Sequence, residues 1–242
     1  MKAILSGHSR GLGAAIAQDL LARGIPVLAI ARHRNAALAE RFGPALRQEE
    51  LDLAEAATVE QWLAGGCLRH FVSGSKTVLL INNAGVVQPV GPLPLQEPAA
   101  IARAIALNVT APLMLAAAVA ADAAPAERRI LHVSSGAGRN AYPGWSVYCA
   151  TKAALDHHAR AVALDAAPGI RICSLAPGVI DTDMQAEIRA TSLQQFPLRE
   201  RFDALKRDGS LADPAVCARR LVDYLLGDGF GQLPVADLRD VA

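Results

Sequence analysis

The stretch Ala3-Ile4-Leu5-Ser6-Gly7-His8-Ser9-Arg10-Gly11-Leu12-Gly13-Ala14-Ala15-Ile16-Ala17-Gln18-Asp19-Leu20 decides the fold. It reads as a short apolar strand, a glycine-rich turn and an apolar helix in immediate succession. Glycines at 7, 11 and 13 let the backbone approach a pyrophosphate closely. The start of a helix offers that group free N–H donors and the positive end of the dipole. The spacing is G-x-x-x-G-x-G, and a glycine triplet alone also serves an ordinary tight turn. Its seat between the first strand and the first helix is what favours dinucleotide binding.

Further apolar runs follow at Val27 to Ala31, Thr77 to Ile81, Arg129 to Val133 and Ile170 to Leu175, each trailed by a turn and an Ala/Leu-rich helical pattern. Parallel strands need crossover helices and are buried on both faces. The expectation is a single α/β domain over residues 1–242, a doubly wound Rossmann-type parallel sheet of about seven strands with helices on both faces. The second run ends in Ala31-Arg32-His33-Arg34. NAD-specific proteins place a carboxylate near this point for the ribose 2′-hydroxyl, and here there is none. Arg32 can grip a 2′-phosphate through a charge-assisted fork, with Arg10 of the glycine turn as second cation. The expected cofactor is NADP(H) rather than NAD(H), with solvated surface arginines as the alternative.

Of the 242 residues 52% are hydrophobic and 19% charged, which excludes a disordered chain. A net charge of +1, without runs of like charge, argues against a sequence-blind nucleic-acid binder. Cys67, Cys149, Cys173 and Cys217 lie far apart without C-x-x-C spacing and read as buried free thiols, not disulfides or a metal site. The first residues run straight into a strand and lack a signal peptide's apolar core, so the expected location is the cytoplasm. Ile105 to Ala121 carries no charge, yet Asn108, Thr110 and Pro112 interrupt it and it falls short of the roughly 20 apolar residues of a membrane helix. It is expected to be a buried helix. The region at about 181–214 is richer in charge and Gln and is read either as helices over the mouth of a site or as a solvated insert.

Tyr148 and Lys152 stand at i and i+4 and share a helix face. A phenol with a pKa near 10 is a weak acid or base at neutrality, and a cation one turn away would favour the phenolate. Ser135 follows an apolar strand, where open α/β sheets bind ligands, and can donate to a substrate carbonyl oxygen. His157 and His158 point about 100° apart on a helix and make poor joint ligands. His132 reads as a satisfied interior residue, and Asp181 and Asp183 as caps around Thr182. No metal site is expected.

With these residues in order, the sequence resembles the short-chain dehydrogenase/reductase family. Its T-G-x-x-x-G-x-G appears as Ser6 to Gly13, its N-N-A-G as Asn82-Asn83-Ala84-Gly85 and its Y-x-x-x-K as Tyr148 to Lys152. The resemblance implies that Gly7, Ser9, Arg10, Gly11, Leu12, Gly13 and Arg32 bind the cofactor's phosphates. Asp52 and Leu53 would contact adenine, and Asn83, Ala84 and Gly85 would line the adenosine side. Pro177, Gly178, Ile180 and Thr182 would lie against the nicotinamide, with Ile180 backbone and Thr182 on its carboxamide. Tyr148 would donate the proton and Ser135 fix the carbonyl. Lys152 would hold the ribose and lower the Tyr148 pKa, and Asn108 would hold a water of the proton relay.

The segment Pro177 to Gln185 and the tail Gly231 to Arg239 are more similar to the sepiapterin reductase and benzil reductase branch than to the ketoreductases of fatty-acid synthesis, which close on Asp-Gly-Gly. This implies NADPH-dependent reduction of ketones or vicinal diketones. Ala141, Tyr142, Pro143, Trp145 and Met184 are candidate substrate contacts, with Phe196 and Leu198 as lid residues. Two alternatives stand beside it, a 3-oxoacyl thioester reductase and a non-catalytic NADP(H)-sensing regulator. The expected partners are a small carbonyl substrate and a second copy of the chain, packed through Ile101 to Ala121 and Val147 to Ala166, with a tetramer as the alternative. No nucleic acid or membrane is expected.

Overall fold

In the computed structural model, which describes residues 1–122 and 125–241, β1 (Lys2–Ser6) leads through the glycine turn into α1 (Gly11–Ala22). The chain continues as β2 (Val27–Ala31), α2 (Ala36–Phe42), β3 (Leu46–Glu50), α3 (Ala56–Ala64), α4 (Cys67–Val72) and β4 (Thr77–Asn82). Next come α5 (Pro98–Ile105), a π-helical stretch (Ala106–Thr110), α6 (Ala111–Ala121), β5 (Glu127–Val133), α7 (Ser146–Leu164) and β6 (Ile170–Ala176). The last part holds α8 (Asp183–Arg189), α9 (Arg199–Arg207), α10 (Pro214–Leu226), β7 (Val235–Asp237) and α11 (Leu238–Val241).

All seven strands pair in parallel in the order β3-β2-β1-β4-β5-β6-β7. The order reverses between β1 and β4, so a crevice opens there at the carboxyl ends of the strands. Alternation along the strands divides the core. Ala3, Leu5, Ala29, Leu79 and Ile81 pack with Ile16 and Leu20 of α1 and Leu221 and Leu225 of α10. Ile4, Leu28, Ile30 and Leu80 face the opposite layer, with Val59 of α3 and Leu115 and Val119 of α6. Each large aliphatic side chain buried this way contributes on the order of 2 kcal/mol.

The apolar segment expected as a buried helix is the second half of a longer one. Pro98–Ala121 is helical throughout, long and apolar enough to cross a membrane, but Ala104, Ala111, Leu115, Ala116 and Val119 within it are spent on the protein core. All four cysteines are free, yet only Cys173 and Cys217 are buried; Cys67 and Cys149 are half-buried. Neither Asp181 nor Asp183 caps a helix by hydrogen bond. Thr182 holds the N-cap position of α8, Asp181 accepts from Lys206 Nζ at 2.6 Å, and Asp183 lies in the first turn. A negative charge there still suits the helix dipole.

Candidate active site

The glycine turn is held by its neighbours across the crevice. Asn83 Nδ2 donates to the carbonyls of Ser6 at 3.1 Å and Gly7 at 3.0 Å, and the backbone N–H groups of Asn83 and Ala84 both reach Ser6 Oγ at 3.0 Å. The crossing is close enough to require glycine. A Cβ on Gly13 would collide with the Gly7 carbonyl oxygen, and one on Gly7 would stand 2.8 Å from Ala84 Cα. The Asn83 amide, expected on the adenosine side, is thus engaged by the turn itself. Gly85 also departs from that expectation: a Cβ there would be 3.3 Å from Asn108 Oδ1 and 3.7 Å from Lys152 Nζ, on the catalytic side. Leu12 and Leu53 are core residues, leaving their backbones for any ligand contact.

Arg32 is exposed at the end of β2. Arg10 is exposed too and lies 3.1 Å from Asp183, an ion pair worth little at such exposure. Asp52 accepts from the Ala54 amide at 3.0 Å and from Arg103 at 2.7 Å. Burial opposes its charge, but the Ala54 N–H and the cations of Arg103 and Arg32 prevail and hold its pKa below the ordinary value. Motif reading missed His8, which is buried inside the glycine turn. Its Nε2 meets Gln48 Oε1 at 2.6 Å, and that oxygen already accepts from the Asn35 amide at 2.7 Å, so the network assigns the ring proton to Nε2. Burial lowers the His8 pKa. Only the polar character of Gln48 on β3 hinted at such a partner.

The catalytic candidates converge at the ends of β4 and β5. Tyr148 and Lys152 lie on the buried face of α7, and Ser135 follows β5, its Oγ accepting from Ala137 N–H at 3.2 Å. Burial pushes the Tyr148 pKa up to about 12, with the Ser135 hydroxyl pulling the other way. Burial brings Lys152 down to about 8, opposed by Asp156. The ammonium donates to the Val133 carbonyl at 2.8 Å and stands 5.7 Å from the centre of the Tyr148 ring. Burial is the largest influence on the Tyr148 phenol, and the Lys152 ammonium is directed at a backbone carbonyl.

Asn108 lies within the π-helical stretch, a feature frequent at functional sites. Its Oδ1 accepts from Val86 N–H at 2.9 Å, and its Nδ2 donates to Val86 O at 2.8 Å and Thr151 Oγ1 at 3.2 Å. Four residues on, Pro112 has no N–H to offer the Asn108 carbonyl, as a regular helix would require. His132 is a satisfied interior residue: Asn82 Nδ2 contacts its Nδ1 at 3.1 Å and its Nε2 meets His158 Nδ1 at 3.1 Å.

After β6, Ala212 N–H donates to Val179 O at 2.9 Å and Asp181 N–H to Ala212 O at 3.0 Å. This bridge engages the groups on either side of Ile180 and turns its own N–H and C=O to the opposite edge. Thr182 stands over the glycine turn, its methyl 3.4 Å from where a Gly11 Cβ would be. Ile188 of α8, Phe196, and Phe202 of α9 join Trp145 and Tyr148 in one apolar cluster. Trp145 stacks on Phe196 at 4.5 Å and 8°, and meets Tyr148 at 5.4 Å, Tyr142 at 5.6 Å and Phe202 at 5.4 Å. Met184 and Leu198 pack against this cluster, whereas Ala141 and Pro143 are exposed. Phe196 is fully buried, so the segment is not merely a solvated insert.

A family model described as short chain dehydrogenase matches residues 1–193. The chain is 34% identical over 242 residues to "Benzil reductase ((S)-benzoin forming)" of Bacillus cereus, covering 95% of each. It is 35% identical over 242 residues to the sepiapterin reductase of Meriones unguiculatus, covering 94% of this chain and 92% of the relative. Among solved structures, a short-chain dehydrogenase/reductase from Burkholderia vietnamiensis is 52% identical with a TM-score of 0.73, covering 100% of this chain and 98% of its own.

Proposed function

The chain belongs to the short-chain dehydrogenase family, and on that premise we propose that it is a cytoplasmic, NADPH-dependent carbonyl reductase acting on aryl ketones and vicinal diketones. The observation that carries this reading is the convergence of Ser135, Tyr148 and Lys152 beside a cluster of aromatic rings. The glycine turn fits a dinucleotide: Gly7 and Gly13 let β1 and the start of α1 cross closely, and Arg10 at the N-cap makes no capping hydrogen bond, which leaves the helix start to a pyrophosphate. Gly7, Ser9, Arg10, Gly11, Leu12 and Gly13 would hold the phosphates, and Arg10 and Arg32 the 2′-phosphate. Asp52 and Leu53 would face adenine, with the backbone of Asn83, Ala84 and Gly85 along the cleft. Pro177, Gly178, Thr182 and the free amide edge of Ile180 would receive the carboxamide. Four free thiols suit a reducing compartment.

When bound, NADPH supplies a hydride to the carbonyl carbon. Ser135 Oγ–H donates to the carbonyl oxygen and stabilises the charge that develops there. Tyr148 Oη–H, which burial keeps protonated at neutral pH, gives that oxygen its proton as charge develops there. Lys152 as an ammonium steadies the tyrosinate that results. The Asn108 carbonyl, denied its helical partner by Pro112, can hold the water that returns a proton. Trp145 offers its ring face to an aryl substituent once the lid segment carrying Phe196 makes room.

A second copy would pack through the helices that carry the exposed Ile105 and Leu164. The assembly of all three catalytic side chains favours turnover over a purely sensing role. Tyr148→Phe tests the reading: turnover of benzil should fall at least ~100-fold while NADPH affinity stays within a few-fold. Activity retained above a few per cent would refute it.

A further inference from the structure

One buried carboxylate beside the catalytic lysine has no part in the chemistry above. Asp156 stands one helical turn beyond Lys152, as Lys152 stands one turn beyond Tyr148, so the three share a face of α7. It is 1% exposed. Its Oδ1 accepts from Ser134 Oγ at 2.7 Å and from Ser174 Oγ at 2.7 Å, and its Oδ2 from Arg139 Nε at 3.2 Å. These partners come from the end of β5, from β6 and from the turn that follows Ser135. Arg139 continues to the Ala236 carbonyl at 2.7 Å and lies 3.9 Å from Asp237 of β7. The approach is tight, since a Cβ on Gly138 would stand 3.0 Å from Asp156 Oδ2 and 3.0 Å from the Lys152 carbonyl oxygen. The turn bearing Ser135 therefore closes on α7 between the lysine and the aspartate.

Burying a carboxylate is unfavourable unless it is paired and hydrogen-bonded, and an apolar side chain would hold the helix to the sheet equally well. What it adds is charge. Lys152 directs its ammonium at a neutral carbonyl, with no carboxylate in direct contact among the described residues. We propose that Asp156 is a positioning residue for the reaction: its buried carboxylate, partly offset by Arg139, supplies the negative field that keeps Lys152 an ammonium beside Tyr148. The inference rests on the reading of Tyr148 and Lys152 as the proton-donating pair.

The titratable groups around Lys152 are Tyr148 and Asp156 on its own helix and His132 on β5; those around Asp156 are Arg139, Cys173 on β6 and, through Arg139, Asp237 on β7. Burial puts His132 at about 3 and Cys173 at about 11, so neither carries charge near pH 8. Asp156 and Arg139 are thus the charges that can be altered. Removing the aspartate's charge leaves burial unopposed and lowers the pH at which Lys152 loses its proton. Removing the arginine's charge raises it.

The test follows the four lysines, Lys2, Lys76, Lys152 and Lys206, by NMR of protein labelled with 13C-lysine, with Lys152→Met assigning the resonance. Lys152 should titrate near pH 8 in the parent protein. Asp156→Asn should move that midpoint down by about one pH unit, and Arg139→Gln should move it up by less. The alkaline limb of the pH profile for benzil reduction should follow in each case. Arg139 has a side chain 27% exposed, and its replacement leaves Asp156 both serine bonds, so this arm stands even if Asp156→Asn does not fold. A midpoint unmoved in Arg139→Gln, or moving downward there, overturns the proposal. The titration needs no turnover, so a parent protein that fails to reduce benzil counts against the proposed activity alone.

Discussion

At Tyr148 and Lys152 burial sets the working protonation states. The phenol, held at about 12, keeps its proton through neutrality, while the ammonium is lost near 8. For reduction, which consumes the phenol's proton and needs the cation, kcat should be level below about pH 8 and fall above it. A pH profile at saturating NADPH checks this; a rate that rises through pH 8 to 9 would exclude the lysine as the group concerned. Such a limb reports the coupled pair, and Lys152→Met should abolish it along with at least ~100-fold of kcat. That Tyr148, Lys152 and Ser135 come together was legible in the sequence, because helix spacing and a strand end place them. Asp156 and His8 were not, since a counter-charge is brought to its partner by tertiary packing from Ser174, Gln48 and others far along the chain.

Elements with sharp sequence signals match the expectation, and those without them do not. The glycine turn and α1 fall where they were read, because Gly7 and Gly13 are required by a backbone crossing. Gly13→Ala should weaken NADPH binding roughly tenfold or more, since its methyl must displace the Gly7 carbonyl and forced overpacking typically costs about 1–3 kcal/mol. Cofactor titration by fluorescence quenching checks it, and unchanged affinity would argue against pyrophosphate binding at this turn. The polar strand β3, Leu46-Arg47-Gln48-Glu49-Glu50, and the three-residue β7 lie at opposite edges of the sheet. Edge strands need not be apolar on both faces, so neither shows the hydrophobic run by which the inner strands were recognised. The π-helical stretch around Asn108 was likewise hidden, although Pro112 marked where regular helix bonding must fail.

Across the whole molecule, buried neutral histidines link stability to pH. His132 is held at about 3 and His8 and His158 are lowered, all by burial, whereas an unfolded histidine titrates near 6.5. Between those values the unfolded chain binds more protons, so the stabilisation present above about pH 6.5 is lost as pH falls toward about 3. The thermal midpoint should drop between pH 7.5 and 5, and His132→Gln should flatten that dependence; an equally steep curve in the variant would remove His132 as the cause. The doubly wound architecture was legible because five inner strands announce themselves and parallel pairing fixes the rest. The region at about 181–214 was flagged, but the seating of Phe196 and Phe202 on Trp145 was not legible, because those rings meet only through tertiary packing. The central claim, carbonyl reduction with a 2′-phosphorylated cofactor, is tested most directly by the initial loss of 340 nm absorbance with benzil, NADPH and NADH run side by side. Oxidation of NADPH at least ~10-fold faster than NADH is the predicted result, from the two cations Arg10 and Arg32. No oxidation of either would contradict the proposed activity, and a preference for NADH would contradict the role given to the arginines.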